Sequence, residues 1–504
     1  WLAARDLLAA RGVGFDDGFE RVFQRAVREH ATHLIRHLEW NREVRGNHYL
    51  ANVAGLLFCA AYLPRGRATD AWLAWSVQEL GLETELQFTG DGASFEASTA
   101  YHCLGMEMVA WCTALIRALP GEKVAALRDA RPRDWPRHPP LRAHPALPPA
   151  HAARIRAMAD FAAALTKPSG LMAQIGDNDS GRFLPIRPPR PVLDPREPTA
   201  VAEALGGSPA PREPAAALVA AMVAGRPTDA VAKDSDEIRV DRLWSGRRRP
   251  SPPNPLSQNR LGEGALCRPA STMIIAGHEL PLIPLDSAPF SLHGIPDESG
   301  SPRASSEIRV SGGGLHDRAE LLAFAEFGVY VYRSERLWMA IRCGGRGTIA
   351  LAGHAHEDQL AIELSIDGVD VIADPGTYLY TALPEARERY RSATAHAVPH
   401  TEPELRVARR GATLFELHDR VVARCVGWDR GGFAGEMEAD GVRVRREIRV
   451  SDDTLIITDH AWGRRILPPL PAPPIDPSPA YGVLAKRVDH LVPVGDGRWE
   501  WRGG

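Results

Sequence analysis

The stretch Leu360-Ala-Ile-Glu-Leu-Ser-Ile-Asp-Gly-Val-Asp-Val-Ile-Ala373 decides the fold of the second half of this chain. Apolar residues alternate with polar ones on both sides of Asp367-Gly368, a dipeptide that favours a two-residue type I′ turn. The stretch therefore predicts two antiparallel strands, 360–366 and 369–373, joined by that turn.

The same period of two continues through the region after about residue 306. Val329 and Val331 alternate with Tyr330 and Tyr332, and the segments 442–450 and 454–458 repeat the pattern between Gly or Asp turn residues. Such segments indicate an antiparallel β-rich domain.

The first 130 residues have a helical period instead. Apolar residues recur every three or four positions in 19–30, 51–62 and 101–119, whereas the proline-rich segment 131–150 cannot be helical throughout. Helices first and sheets afterwards predict an α+β protein with two segregated domains. We expect a helical domain over 1–265, with the loop 131–150 in it, and a β-domain over 266–504.

Composition sets broad limits. A chain of 504 residues with 44% hydrophobic residues and a net charge of −3 is typical of a soluble multidomain protein, without a global attraction to nucleic acid. Its six scattered cysteines show no zinc or disulfide pattern, and no apolar run is long enough to span a membrane. Because the chain begins at Trp1 in what resembles mid-domain sequence, we expect an N-terminally incomplete fragment.

A cluster of possible ligands lies around the hairpin. His354, His356, Asp374 and His396 fall within 43 residues. Imidazole nitrogen and carboxylate oxygen are common zinc ligands, and the same groups perform acid and base chemistry. Ordinary polar loop residues are the third interpretation, and spacing alone leaves all three open.

Regular pairing within the hairpin would keep this cluster apart. Asp374 would pair with position 361, on the face opposite to His356. Either residues 354–359 leave the ladder, or Asp374 turns away just before Pro375, where pairing ends. The sequence leaves both possibilities open.

Two other candidate groups lie in the helical half. A glycine break before Asn47 and His48 places them at the beginning of a helix, where anions bind favourably, although a plain N-cap and a surface histidine are equally compatible. A turn leads into a second helix that carries Glu96, Tyr101 and His102. Tyr101 can exchange a proton if its pKa is perturbed, or it can simply be half-buried.

Two further patterns are interpreted as structural. The loop Asp177-Asn178-Asp179-Ser180-Gly181 lacks the later ligands of an EF-hand, so a structural turn is favoured. The histidines at 30, 33 and 37 follow a helical spacing that is typical of a solvated face.

Taken in order along residues 40–460, these motifs resemble the heparinase II/III-like polysaccharide lyases, including the alginate and oligoalginate lyases. The motifs are Asn47-His48-Tyr49, Asp91-Gly92 through Glu96 to Tyr101-His102, Gly176-Asp177-Asn178-Asp179, His354-Ala-His356-Glu-Asp358, Asp374-Pro-Gly-Thr-Tyr378 and Arg391-Ser392 to Ala395-His396. The resemblance implies an incomplete (α/α) helical toroid followed by an antiparallel β-sandwich.

The resemblance also implies β-elimination at a uronic acid of an acidic polysaccharide. In this reaction Asn47 would neutralise the carboxylate. Tyr101 would be the acid, and also the base when both steps act on one face of the sugar, and His48 would be the alternative base. His354 would assist neutralisation or orient Tyr101. The substrate-binding residues would be Arg391, Tyr390, Glu96 and His102.

By the same resemblance, a structural Zn²⁺ would bind His356, Asp374 and His396, with no organic cofactor. Substrate class would imply a periplasmic or secreted location. Departures from the family pattern are Ala397-Val398-Pro399 after His396 and a proline-rich stretch at 467–478, which suggests an incomplete sandwich. The competing hypotheses are a non-catalytic glycan-binding or export protein with this fold and, more remotely, a glycoside hydrolase using Glu96 and Asp91.

Overall fold

The structure is a computed structural model. It describes residues 1–10, 12–42, 45–135, 138–143, 145–179, 181–184, 191–205, 272–275, 278–281, 302–345, 353–405, 408–410, 414–419, 421–439, 441–469, 475–495 and 497–501. The predicted domain boundary at 265/266 lies outside these residues, so the division into 1–265 and 266–504 stays a prediction.

Helices make up the first part of the described chain. They are α1 (Leu2–Ala10), α2 (Asp17–Arg36), α3 (Asn47–Tyr62), α4 (Arg67–Gln87), α5 (Thr99–Arg117), α6 (Gly121–Arg128), α7 (His151–Ala164) and α8 (Arg196–Leu205). Within the described part of 131–150 no helix forms, and the loop is pinned by a bridge between Arg133 and Leu141. A ninth described helix, α9 (Pro384–Arg391), follows much later and is continued by a short 3₁₀ turn at Ala393–Ala395.

Strands dominate the later part. They are β1 (Thr272–Ile275), β2 (His278–Pro281), β3 (Arg303–Val310), β4 (Glu320–Phe324), β5 (Val329–Arg333), β6 (Leu337–Arg342), β7 (Ile362–Ile366), β8 (Val369–Ile372), β9 (Thr401–Glu402), β10 (Ala408–Arg410), β11 (Leu417–Asp419), β12 (Val422–Asp429), β13 (Gly432–Ala439), β14 (Val442–Val450), β15 (Thr454–Ala461), β16 (Arg465–Ile466), β17 (Leu491–Gly495) and β18 (Arg498–Trp501).

Two large sheets form from these strands. The five-stranded sheet has the order β4-β5-β6-β7-β8, and the seven-stranded sheet has the order β12-β13-β14-β15-β3-β18-β17. Neighbouring strands are antiparallel except β3 and β18, which are parallel. The predicted fold class, helices followed by an antiparallel β-sandwich, is therefore confirmed.

The five-stranded sheet is the middle layer of the molecule. On one face, Val331 and Ala340 join the core of the helices, which contains Trp75 and Trp111. On its other face, side chains such as Met339 pack against the seven-stranded sheet. All six residues of β6 are consequently buried, because both faces of this strand are covered.

The Asp367-Gly368 turn forms as the sequence predicts. Ile366 pairs with Val369, and φ is +51° at Asp367 and +83° at Gly368, which is the type I′ geometry. The hairpin is shorter than predicted and irregular, since the register shifts between Leu364 and Ser365. It spans only β7 and β8, so residues 353–361 and 373–379 lie outside the ladder.

A buried group of charges joins the helical region to the middle sheet. Lys167 Nζ lies 2.9 Å from Glu363 Oε2 and 2.8 Å from Asp370 Oδ2, and the Gln174 amide donates to Glu363 at 2.5 Å. Because two carboxylates face one ammonium in a buried position, their attraction holds the pKa of Lys167 above its usual value despite the cost of burial.

Candidate functional site

Tyr101 and His354 lie directly on one another. Their rings stack with centroids 3.7 Å apart and planes 17° from parallel. Tyr101 is in the first turn of α5, where the Ser98 side chain accepts a hydrogen bond from its backbone amide at 3.2 Å. Ser98 is thus an N-cap that fixes the position of Tyr101.

Asp177 is the common hydrogen-bond partner of His354 and His356. It is fully buried, and its carboxylate accepts hydrogen bonds from His354 Nδ1 at 3.0 Å, His356 Nε2 at 3.0 Å and Arg387 Nη2 at 2.6 Å. Burial opposes the charged form, but Arg387 and both histidines outweigh it and hold the pKa of this carboxyl well below its usual range. Asp177 is therefore an anion at neutral pH.

The protonation of His354 follows from this contact. Burial lowers the pKa of His354, but its hydrogen bond to Asp177 and the negative charges of Glu96 and Asp177 together outweigh burial, and the net pKa is raised. The side chain of His354 keeps 16% of its surface exposed, so a ligand can still reach it. His354 thus presents an accessible imidazole, whose protonated form Asp177 favours, stacked on the Tyr101 ring.

Close approach of three segments at this point requires Gly176. Its φ is +67°, and a Cβ there would lie 2.5 Å from the Ala97 carbonyl oxygen and 2.6 Å from that of His354. Only glycine tolerates this combination of backbone angle and crowding. The loop before Asp177 can therefore pass between the start of α5 and the His354 segment.

His356, Asp374 and His396 form a second, deeper group. One potential ligand atom from each lies within 4.8 Å of the others. His356 Nδ1 and His396 Nε2 are buried and have no hydrogen-bond partner among the residues that the structure describes, and Asp374 Oδ2 lies 2.5 Å from His396 Nδ1. Unpaired imidazole nitrogens beside a carboxylate fit a metal ion such as Zn²⁺, and the group is a possible metal-binding triad.

Asp177 also fits this group chemically. A metal-bound histidine usually donates its other ring N–H to a carboxylate, which fixes the tautomer. His356 donates from Nε2 to Asp177, which leaves the Nδ1 lone pair free for a metal. One buried carboxylate therefore supports both His354 beside Tyr101 and His356 in the triad.

Asn47 is engaged by Glu96. Its side-chain nitrogen lies 3.0 Å from both carboxylate oxygens of Glu96, and its backbone N–H donates to Oε1 at 3.0 Å. Glu96 also influences the pKa of His354 through its charge. These hydrogen bonds join the beginning of α3 to the segment just before α5. Within that segment, Ala97, with φ of +56°, lies between Glu96 and the Ser98 cap.

Two family models match the chain. The model of the heparinase II/III N-terminus matches residues 10–126, and the heparinase II/III-like C-terminal model matches residues 316–463. Together these segments cover more than half of the sequence. The chain belongs to the heparinase II/III-like family. Asp177 and Asp179 fall between the two matched segments.

Several solved structures align with most of this chain. A heparan sulfate lyase HepC mutant from Pedobacter heparinus shares 14% identity over 88% of this chain and 49% of that chain, with a TM-score of 0.45. A heparinase III shares 13% over 85% and 48%, with a TM-score of 0.47, and another heparinase III shares 14% over 86% and 47%, with a TM-score of 0.46. This chain spans about half the length of these structures. No curated protein has a significantly similar sequence.

A membrane span has little support among the described helices. None of them alone has the length and apolar character required, and only α5 and α6 taken together do, as a pair bent by 102°.

Other predicted site residues of this heparinase II/III-like chain lie elsewhere. His48 is largely exposed, and its Nδ1 is 2.9 Å from Glu39 Oε2. His102 is fully buried in the helical core, where it packs on Phe161 and its Nε2 lies 3.2 Å from the Met158 carbonyl. Substrate binding by His102 stays a prediction, and its side chain is enclosed in this structure.

Tyr390 and Arg391 are also enclosed. Tyr390 is 4% exposed and donates to the Asp476 carbonyl at 2.7 Å, while Arg391 is 1% exposed and pairs with Glu388 at 2.7 Å. Substrate binding by these two residues stays a prediction, and neither side chain is exposed in this structure. Arg391 instead stabilises the segment around α9.

The sequence reasoning missed Arg387 and gave Asp177 and Asp179 no role. Arg387 lies four residues before Arg391 on the same helical face, whereas Arg389 is exposed. The helical spacing could have singled out the buried pair. Asp177 gave no local signal, since its partners are about 180 to 210 residues away in sequence.

Proposed function

We propose that this chain is a polysaccharide lyase that cleaves a uronate-containing polymer by β-elimination. The observation that carries the proposal is the Tyr101–His354 stack, because it places a phenol and a supported, accessible imidazole side by side. Family membership supports the reaction class, and the residue roles below are part of the proposal.

β-Elimination makes three demands on a site. A base removes the C5 proton, the electron pair forms the C4–C5 double bond, and the C4–O bond breaks as the departing oxygen takes a proton. The uronate carboxylate must be neutralised, because its charge opposes carbanion formation. Asn47 and His354 would supply this neutralisation, and Tyr101 would donate the proton.

The environment of Tyr101 favours the acid role. Burial and the charge of Asp179 raise its pKa above the ordinary value, so the phenol is protonated at neutral pH. The base would be His48 or Tyr101. His48 is sufficiently exposed to meet substrate, and Tyr101 would serve only if both steps occur on one face of the sugar.

A zinc ion in the triad would have a structural role. His356, Asp374 and His396 would hold it, and the bound ion would tie three segments of chain together below the stack. The substrate would be an acidic polysaccharide or oligosaccharide. A periplasmic or secreted location follows from that substrate class alone.

The test is the ultraviolet absorbance of an unsaturated uronate. The protein is mixed with heparan sulfate, alginate, hyaluronan or a bacterial exopolysaccharide, and at least one should give the chromophore. Tyr101→Phe should lower turnover at least about 10²-fold, the usual contribution of a general acid. Tyr62→Phe, at the C-terminal end of α3, is the matched control and should retain activity.

Two results would contradict the proposal. Folded protein that produces no chromophore from any of these polymers would favour a non-catalytic glycan-binding protein. New reducing ends without the chromophore would indicate a hydrolase instead.

A further inference from the structure

Asp179 is the polar partner of the Tyr101 hydroxyl. The phenol donates to Asp179 Oδ2 at 3.0 Å, on a side chain whose ring is already fixed by stacking on His354. Asp179 is itself anchored, because its other oxygen accepts from the Gly181 backbone N–H at 2.6 Å. Its carboxylate is therefore held against one side of the phenol.

The loop that carries Asp179 is fixed on both sides. Asp177 is clamped by two histidines and Arg387, and Asn178 is bound through its amide to Thr377 Oγ1 at 2.9 Å and through its side chain to Gln174 at 2.8 Å. An ordinary surface turn does not need so many buried contacts. The loop instead presents one carboxylate to Tyr101 in a defined position.

We propose that Asp179 is a positioning residue that fixes the proton on the Tyr101 hydroxyl, so that Tyr101 serves as the acid of the elimination and another group is the base. This inference rests on the proposed lyase function and extends it to a residue outside both family-matched segments.

Electrostatics give the physical reason. A Tyr101 phenolate would face the anionic Asp179 across a hydrogen-bond distance and Asp177 beyond it, in a site where burial already disfavours charge. The neighbouring Tyr380 hydroxyl acts in the opposite direction, and the His354 ring covers the phenol. Repulsion from the two carboxylates adds to burial, so the neutral phenol is strongly preferred.

A phenol that keeps its proton until the C4–O bond breaks is suited to protonating the departing sugar oxygen. The departing sugar oxygen becomes an alkoxide, whose conjugate acid is also very weak, so proton transfer from a weakly acidic phenol occurs as the C4–O bond breaks. The single O–H of Tyr101 leaves Asp179 Oδ2 and turns to the departing oxygen, its proton moves to that oxygen as the C4–O bond breaks, and solvent returns a proton to the phenolate afterwards.

The test is the ionisation of Tyr101 followed by tyrosinate absorbance in the folded, full chain. Since the chain has nine tyrosines, each titration is read as the difference between a protein and its Tyr101→Phe counterpart. In Asp179→Asn, we expect the Tyr101 transition to move down by about 1 pH unit or more relative to the parent. Asp129→Asn, at the exposed end of α6, should leave it unchanged.

Activity gives a second readout. The alkaline limb of kcat should move to lower pH in Asp179→Asn by a similar amount, with KM nearly unchanged, which a purely structural role would not produce. Asp179→Ser removes the charge but keeps a hydroxyl for the Gly181 amide. If the asparagine variant does not fold, the Tyr101 transition and the alkaline limb of kcat are measured in this serine variant instead.

Failure of this proposal is distinguishable from failure of the lyase assignment. An unchanged Tyr101 transition in folded Asp179→Asn or Asp179→Ser overturns the positioning role, whether or not the parent is a lyase. A downward shift of the Tyr101 transition in a protein that cleaves no polymer supports the role of Asp179 in keeping the proton on Tyr101. That result rejects only the lyase function.

Discussion

At the scale of single residues, Asp177 connects the two halves of the candidate site. It is a fully buried carboxylate with an arginine and two histidines around it. A buried charge is tolerated only when its partners compensate for lost hydration. Arg387 is the only permanently charged partner among the described hydrogen-bond donors to it, and its removal should therefore be costly.

We predict that Arg387→Met lowers the free energy of unfolding by about 3–5 kcal/mol, the usual cost of breaking a buried ion pair. Denaturant unfolding measures it. The matched control is Arg389→Met, on the exposed side of the same helix, which should change stability by about 0.5 kcal/mol or less. In an Asp177→Asn background the cost of Arg387→Met should shrink. Equal effects of the two arginine variants would refute the assigned role.

At the scale of elements, the triad lies where three segments leave regular structure. His356 precedes β7, Asp374 follows β8, and His396 comes directly after the 3₁₀ turn. Among the described residues, no β-ladder connects these three segments at the triad. A metal ion there would replace the missing ladder contacts with ligand bonds.

We predict about one zinc per chain by elemental analysis of the purified protein. Chelation should lower the free energy of unfolding by about 3 kcal/mol or more, as expected for loss of a ligand present at 100 times its Kd. His396→Ala should abolish both the zinc content and the chelator effect, whereas the exposed His37→Ala should preserve both. Zinc-free protein with unchanged stability in chelator would reject the site.

At the scale of the whole molecule, histidines in the helical core make stability depend on pH. Burial lowers the pKa of His102 to about 4, and burial together with Arg117 lowers that of His151 to about 4. The unfolded chain binds these protons near pH 6.5 and the folded chain does not. Their contribution is therefore complete above pH 6.5 and is lost as pH falls toward 4.

We predict that His102 and His151 each lower the free energy of unfolding by about 2 kcal/mol between pH 7 and pH 5, against an opposite contribution from His354 and His396, whose pKa values are raised. Thermal or denaturant unfolding at the two pH values measures it. His151→Gln should reduce this pH dependence even if its absolute stability is lower, while the exposed His30→Gln should not. A folded His151→Gln protein with the same pH dependence of unfolding as the parent would contradict the prediction.

Local patterns were sufficient for the elements. The alternation around Asp367-Gly368 and the three-to-four spacing of the helices depend only on neighbours in sequence, so they predicted the type I′ hairpin and the order of helices and sheets. They did not reveal that the middle sheet is covered on both faces, because the second cover comes from distant helices. The register shift at Leu364 also escaped prediction, and the objection to the triad falls because residues 353–361 and 373–379 lie outside the ladder.

The sequence by itself determined the fold class, the family motifs and the residue types of the triad, since these reside in local periodicity and short spacings. Only the tertiary structure decided which polar residues meet. It joined Tyr101 to His354, placed Asp177 and Arg387 beneath them, and enclosed His102, Tyr390 and Arg391. The physical reason is that burial and charge pairing depend on contacts between segments far apart in the chain, and no local pattern encodes those contacts.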